Sequence, residues 1–245
     1  MRGLTASELL DAYERGRRAR AAERALVLLD AAGVGAASAP DELTVGRRNA
    51  LLLDVREATF GGDVQGVVAC PGCGEQLELS FAVGDLRLGA SESGGAAAPG
   101  WRTLDVDAFE VQFRPPTAGD LVSIEDQTDP AAARRALVQR CVRVRTIAGR
   151  SLARVPSAVL RRVDQELSAA DPGAIADLVV WCPTCRKRRT VAFDVAVFVW
   201  DEIEARVPRL LLEVHELASA YGWAENEVLA MSPWRRSTYA AMVHA

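Results

Sequence analysis

Hydrophobic and polar positions near the start of the chain follow a helical spacing. Thr5 and Glu8 stand three residues apart, as in a capping box, directly before an amphipathic stretch. A break of small residues follows over 33–40, and a second helical pattern runs over 49–57 toward a pair of glycines. We therefore predict an N-terminal helical region over residues 1–60.

Alternating apolar and polar positions begin after this region and indicate β-strands. One alternating stretch covers 77–83 and another covers 191–197, and each follows a pair of closely spaced cysteines. Residues 61–200 are therefore predicted to form one β region. Within it, the Gly-, Ala- and Ser-rich segment 89–100 is expected to be a flexible loop, and capped apolar stretches predict a helical insertion over 117–176.

Helical spacing returns in the last segment, residues 201–245. Apolar positions recur at intervals of three and four from Val207, with Pro208 expected in the first turn and Gly222 at the end. Two shorter helices are predicted after it, the second with Ser232 as its N-cap. Taken alone, this segment fits either a helix-turn-helix or a small helical cap on the core.

The two cysteine pairs look like one structural unit used twice. Aligning Cys70 with Cys182 also superposes Cys73 on Cys185, together with a proline in each turn and apolar residues beyond it. An internal repeat of this kind predicts two similar β-knuckles that face each other across a pseudo-twofold axis. The predicted fold class is α+β, with two pseudo-repeated β-knuckles forming a tetracysteine zinc-ribbon-like core and with N-terminal, inserted and C-terminal helices.

Cysteine pairs at this spacing indicate a metal site. A structural zinc ion prefers four soft ligands in a tetrahedron, and each Cys-x-x-Cys turn supplies two. We therefore predict one structural zinc ion held by Cys70, Cys73, Cys182 and Cys185, although 108 residues separate the two inner cysteines. The alternative is a set of buried or redox-active cysteines, but a redox-active pair normally stands alone at a helix start. Cys141 is expected in a helix core.

Composition and charge narrow the classes of function. The chain has 245 residues, 49% of them hydrophobic, which is enough for a substantial core. Its apolar runs are far shorter than the roughly 20 residues of a membrane span, and no signal-peptide core follows the first charges. We therefore expect a cytoplasmic protein without membrane contact and without disulfides. With 29 basic and 33 acidic residues the net charge is −4, which disfavours bulk nucleic-acid binding.

Catalytic motifs are scarce in the sequence. The two histidines, His215 and His244, have no HExxH partner, and no phosphate-binding glycine loop ends in Lys-Ser or Lys-Thr. A structural zinc ion with four protein ligands also leaves no coordination position for a substrate. We therefore expect a protein that binds other proteins and is not an enzyme.

Several stretches of the sequence together resemble a known family. The longest runs from Glu213 to Tyr239; the others are Val45 to Leu53, Arg56-Glu57 with Phe60-Gly61, the two cysteine turns, Arg114 to Thr117, and Phe193-Asp194 with Phe198 to Trp200. Across nearly the whole chain they resemble the T-even phage baseplate hub assembly chaperone family, which also occurs beside contractile phage tails and phage-tail-like contractile injection systems. The resemblance implies a non-enzymatic role in building the baseplate or its hub, as a protein that leaves the finished particle or remains in it.

The C-terminal helices are the predicted partner-binding element. Tryptophan, tyrosine and arginine are enriched at interface hot spots, and five such residues lie close together: Trp223, Trp234, Arg235, Arg236 and Tyr239. We expect both arginines to be exposed and the partner to be a baseplate hub protein or another tail protein. The alternative is that both tryptophans pack against the β-knuckles.

A zinc-containing helix-turn-helix regulator is the competing hypothesis. It would use the basic groups 186–189 and 235–236 on DNA. The net acidity and the lack of a long basic recognition helix favour the baseplate hypothesis. A redox enzyme is a third hypothesis, but it needs an exposed thiolate that zinc ligation would remove.

Overall fold

The computed structural model of the chain describes residues 1–36, 39–87, 100–152 and 154–244. Within these ranges helices combine with three small antiparallel sheets, so the fold class is α+β. The helices are α1 (Ala6–Gly16), α2 (Ala21–Ala31), α3 (Val45–Phe60), α4 (Val83–Arg87), α5 (Ala118–Ile124), α6 (Pro130–Cys141), α7 (Ser157–Ala170), α8 (Val195–Tyr221), α9 (Glu225–Leu229) and α10 (Pro233–Val243). The strands are β1 (Asp63–Ala69), β2 (Gln76–Ala82), β3 (Arg102–Val106), β4 (Phe109–Phe113), β5 (Val142–Thr146), β6 (Asp177–Cys182) and β7 (Lys187–Ala192).

Of the predicted flexible loop 89–100, only Gly100 belongs to the described residues. None of the described helices combines the length and the apolar character needed to cross a bilayer.

The N-terminal helices begin where the sequence provides caps. The Thr5 hydroxyl accepts a hydrogen bond from the Glu8 N–H at 3.3 Å, and the Glu8 carboxylate accepts one from the Thr5 N–H at 2.9 Å, which confirms the predicted capping box. Thr44 caps α3 by accepting from the Arg47 N–H at 3.3 Å. These caps satisfy backbone donors that would otherwise have no partner at the helix starts.

The largest hydrophobic core lies between α1, α2, α3 and α8. Trp200 of α8 is fully buried there, stacks on Tyr13 at a centroid distance of 5.8 Å, and lies 4.7 Å from the Arg24 guanidinium. Gly16 passes so close to this indole that an added Cβ would stand 2.5 Å from it. Because an aromatic side chain of this size buries more apolar surface than any aliphatic one, Trp200 anchors α8 among the N-terminal helices.

Helix α8 begins earlier than the sequence pattern predicts. The strand predicted over 191–197 is wrong beyond Ala192, because β7 ends there and α8 begins at Val195. The Asp194 carboxylate accepts two backbone hydrogen bonds from the first turn, at 2.9 and 3.2 Å, and thereby caps the helix. Pro208 consequently lies in the interior of α8 and not in its first turn.

The insertion between the two cysteine pairs contains strands as well as helices. Strands β3, β4 and β5 form an antiparallel sheet in that order, and α6 and α7 pack on it around a second core. The prediction of a helical insertion over 117–176 is therefore wrong for β5, whose two valines are buried while its arginines are exposed. Cys141, the last residue of α6, is buried in this second core as expected.

A buried arginine ties α3 to α8 and to the start of β1. The Arg56 guanidinium donates two hydrogen bonds to the Glu202 carboxylate, both at 2.8 Å, and one each to the carbonyl oxygens of Gly61 (2.6 Å) and Asp63 (2.7 Å). Hydrogen bonding to Glu202 raises the pKa of Arg56, so the side chain is charged although it is only 3% exposed. These bonds position β1 relative to the helical core.

Candidate metal centre

Each cysteine pair lies in the turn of a two-stranded antiparallel hairpin. β1 pairs with β2 in the first hairpin, and β6 pairs with β7 in the second. Cys70 directly follows β1 and Cys182 is the last residue of β6, so each pair begins where its strand ends. Buried residues from both hairpins form a common small core. The hairpins therefore pack together and bring their turns to the same place.

The two cysteine turns share a backbone hydrogen bond and a residue with positive φ. The Gly74 N–H donates to the Cys70 carbonyl oxygen at 2.9 Å, and the Arg186 N–H donates to the Cys182 carbonyl oxygen at 2.8 Å. The φ angle is +78° at Gly74 and +54° at Arg186, so both residues have a left-handed backbone conformation. Glycine adopts this conformation without steric cost, whereas arginine does not. Arg186 thus occupies in the second turn the position that glycine occupies in the first.

The four thiol groups converge on one point. The Sγ–Sγ distance is 3.9 Å between Cys70 and Cys185 and 3.6 Å between Cys73 and Cys182. All four sulfur atoms lie within 4.8 Å of one another. Sulfur atoms that surround an ion tetrahedrally at about 2.3 Å lie about 3.8 Å apart. The cluster can therefore hold one metal ion.

Backbone donors and neighbouring thiols set the protonation of the cluster. N–H groups of Gly72 and Cys185 donate to the sulfur atoms of Cys70 and Cys182, each at 3.4 Å. The Gly72 donor is the main reason that the pKa of Cys70 falls to about 6. At Cys185, a hydrogen bond with the Cys73 thiol and burial raise the pKa to about 12. Thiols this close cannot all ionise unless a cation lies between them.

The fifth cysteine takes no part in this cluster. Cys141 lies in the core of the insertion, where burial and the nearby Asp120 carboxylate raise the pKa of its thiol to about 12. Its Sγ lies 3.7 Å from that carboxylate. A neutral buried thiol of this kind is a packing residue.

Beside the cluster, a hydrogen bond and a close approach connect the two hairpins. Sequence analysis did not identify either. The Thr184 hydroxyl donates to the Glu75 carboxylate at 3.0 Å, across 109 positions of the chain. A Cβ at Gly72 would stand 2.7 Å from the Arg189 guanidinium, so only glycine fits there without a shift of that arginine. Contacts between residues so far apart in sequence leave no local signal.

Replacing Arg186 with glycine is expected to stabilise the second hairpin by about 0.5–1 kcal/mol, because the left-handed backbone no longer carries a side chain. Hydrogen exchange of the β6 and β7 amides in the metal-loaded protein measures the change. Lys187→Gly is the matched control: it removes the neighbouring basic side chain from a residue without positive φ. Slower exchange in both variants, or in neither, would contradict the backbone explanation.

The five predicted partner-binding residues do not share one exposed surface. Trp234 is 72% exposed, and Arg235 is exposed next to it at the start of α10. Trp223 and Tyr239 are partly buried and pack edge to face at a centroid distance of 5.1 Å, in a small core formed by α8, α9 and α10. Trp223 therefore packs among the C-terminal helices and not against the β-knuckles.

Arg236 is buried, so the expectation that both arginines are exposed is wrong for this residue. It is 3% exposed, and its guanidinium donates to the Glu213 carboxylate at 3.0 Å and to the Met231 carbonyl oxygen at 2.6 Å. Glu213 also pairs with Arg206 at 2.9 Å. Arg236 thus links α10 to α8 through a buried ion pair. It is therefore not accessible as one of the basic groups that the DNA-binding hypothesis requires.

Part of the chain matches a known protein family. Residues 27–146 match the family described as T4 bacteriophage base plate protein. The matched part begins within α2, includes the first cysteine pair and ends with β5, whereas the second pair and the C-terminal helices lie beyond it. Neither the curated proteins nor the solved structures include a match to the chain. Over residues 27–146, just under half of its length, the chain is therefore similar to the T4 bacteriophage base plate protein family.

Proposed function

We propose that this protein is a non-enzymatic hub assembly chaperone or minor baseplate component of a contractile phage tail-like injection system. The family match over residues 27–146 carries this proposal, because a baseplate is built from several proteins and its members act by binding one another. The expected partner is a hub protein or another tail protein.

A structural zinc ion is the metal we propose for the four cysteines. Zinc favours tetrahedral sulfur coordination, and the two short Sγ–Sγ distances, 3.6 and 3.9 Å, bracket the edge length of such a site. Two-stranded hairpins are marginally stable alone, and among the described residues the shared core has four buried ones, two of them cysteines of the cluster. The ion would join the two hairpins at their turns, in addition to the small core and the hydrogen bond between Thr184 and Glu75 that they share. Four protein ligands would also leave no open position for substrate, which supports a non-catalytic role.

The partner-binding surface we propose is the start of α10, where Trp234 and Arg235 are exposed. Exposed tryptophan is costly to leave in water and is enriched, with arginine, at interface hot spots. The buried pair of Arg236 with Glu213 holds α10 on α8, so this surface is presented on a fixed helix. A rigid anchor of this kind loses little conformational entropy on binding.

Replacing Trp234 with alanine together with Arg235→Glu is expected to reduce recovery of the partner about tenfold or more, since loss of a hot-spot residue typically removes at least that much affinity. The measurement is co-purification of tail proteins with the tagged chain from cells that express the neighbouring tail genes. Thermal unfolding and metal content should remain as in the unchanged protein, because both side chains are exposed.

A matched control removes one exposed apolar and one exposed arginine side chain elsewhere. Ile147 and Arg150 lie in the turn after β5, and both are exposed. Ile147→Ala with Arg150→Glu produces the same change in charge and should leave partner recovery unchanged. Equal recovery from both double variants would contradict the assignment of the α10 surface.

A further inference from the structure

A groove of about 480 Å³ runs between the two hairpins, on the side where β2 and β6 lie. Consecutive residues line it on both sides, 77–81 from β2 and 175–181 from the segment that contains β6. Successive side chains of a strand point to opposite faces, so a surface touched by every residue in a row lies along the strand's edge. The groove therefore faces two strand edges and their backbone groups.

Both of these edges are open within the described part of the chain. β2 pairs with β1 alone and β6 pairs with β7 alone, so each has one edge without a neighbouring strand. An open edge offers a row of backbone N–H and C=O groups that an extended segment can bind by strand addition. Here two such edges line the same groove.

The side chains around the groove separate into an apolar and an acidic set. The inner positions are apolar, and they include Leu79 and Leu178. The carboxylates of Glu78, Asp85 and Asp177 also line the groove, and none of the described lining residues is basic. Among the described residues neither Glu78 nor Asp177 has an ion-pair partner. The charge of the described residues that line the groove is therefore negative.

Two of the residues that line the groove along β6 are apolar and exposed. Val179 is 68% exposed and Trp181 is 57% exposed, and they project from the same face because they are two positions apart. Large exposed apolar side chains on one face of an open edge strand normally promote pairing with another chain. Nothing in the described residues covers them.

We propose that this groove binds an extended segment of another polypeptide in which apolar and basic side chains alternate. The segment adds as a strand along the open edges of β2 and β6. Its apolar side chains face the inner leucines, and its basic side chains face Glu78 and Asp177. This surface is separate from the one assigned to α10, so the proposal does not depend on it.

Binding of short synthetic peptides to the full chain tests the proposal. The first probe is an octapeptide of alternating valine and lysine, and fluorescence anisotropy of the labelled peptide should show saturable binding with a Kd below about 1 mM. The same peptide with glutamate for lysine should bind at least about tenfold more weakly. Two further peptides carry N-methyl groups on the odd-numbered or on the even-numbered amides, which keeps the charge and removes those backbone donors. In a peptide added as a strand only one of these two sets of N–H groups faces the protein, so one of the two methylated peptides should bind about tenfold or more weakly.

Charge reversal in the protein is the complementary test. Glu78→Lys with Asp177→Lys should reverse the preference, so that the glutamate peptide binds more tightly than the lysine peptide. Asp11→Lys with Glu225→Lys, two exposed carboxylates outside the groove, is the control with the same charge change and should keep the original preference. Absence of saturable binding, equal binding of the two N-methylated peptides, or reversal by the control pair would each overturn the proposal. The peptide comparisons in the unchanged protein decide the matter even if a groove variant does not fold.

Discussion

Replacing Cys70 and Cys182 together with serine should abolish metal binding at the four-cysteine cluster and unfold the two hairpins while the helical core remains. The substitutions remove one ligand from each turn, and metal binding energy at a thiolate site is also folding energy. We expect the amides of β1, β2, β6 and β7 to lose hydrogen-exchange protection by a factor of about 10³ or more. Helices α2, α3 and α8 have their own core and should retain protection.

Cys141→Ala is the matched control for this experiment. It removes a buried cysteine that lies outside the cluster, so metal content should not change and the hairpin amides should lose less than about tenfold protection. Treatment of the unchanged protein with a strong chelator should reproduce the effect of the double cysteine variant. Hairpins that stay protected in the metal-free protein would contradict the role assigned to the ion.

Replacing Arg56 with methionine should lower the free energy of unfolding by about 3–5 kcal/mol. Methionine fills much of the same volume, but it leaves the carbonyl oxygens of Gly61 and Asp63 without their donor and Glu202 without its partner. Denaturant unfolding followed by circular dichroism measures the change. Because Arg56 joins α3, α8 and β1, the loss should appear in the global transition.

Arg162 provides the control for the Arg56 prediction. It pairs with Glu166 one helical turn away at 2.9 Å, and its side chain is about half exposed. Arg162→Met should therefore change the free energy of unfolding by less than about 0.5 kcal/mol. A similar effect from both substitutions would show that the loss at Arg56 comes from the methionine and not from a buried hydrogen-bond network.

The sequence was most informative where a local pattern has one structural solution. The capping pair of Thr5 and Glu8 specified a helix start, and the structure has it. The equal spacing within the two cysteine pairs predicted that distant segments meet, and the four sulfur atoms do converge. In both cases the chemistry of a few residues constrains the backbone directly.

Secondary-structure prediction failed where the apolar positions fit both the period of a strand and that of a helix. Residues 191–197 alternate as in a strand, yet the valines at 195 and 199 also follow helical spacing with Ile203 and Val207. The Asp194 cap and the burial of Trp200 favour the helix. The prediction that Arg236 is exposed failed for a different reason. Its partner Glu213 lies 23 positions earlier, and sequence alone does not show that two helices bring the two residues together.

The claim on which the structural account most depends is that Cys70, Cys73, Cys182 and Cys185 hold a single zinc ion. X-ray absorption spectroscopy on protein purified without chelator tests it directly, combined with metal analysis of the same sample. We expect one zinc per chain with four sulfur neighbours at about 2.3 Å. Folded protein without stoichiometric metal, or a zinc ion with nitrogen or oxygen among its ligands, would contradict it.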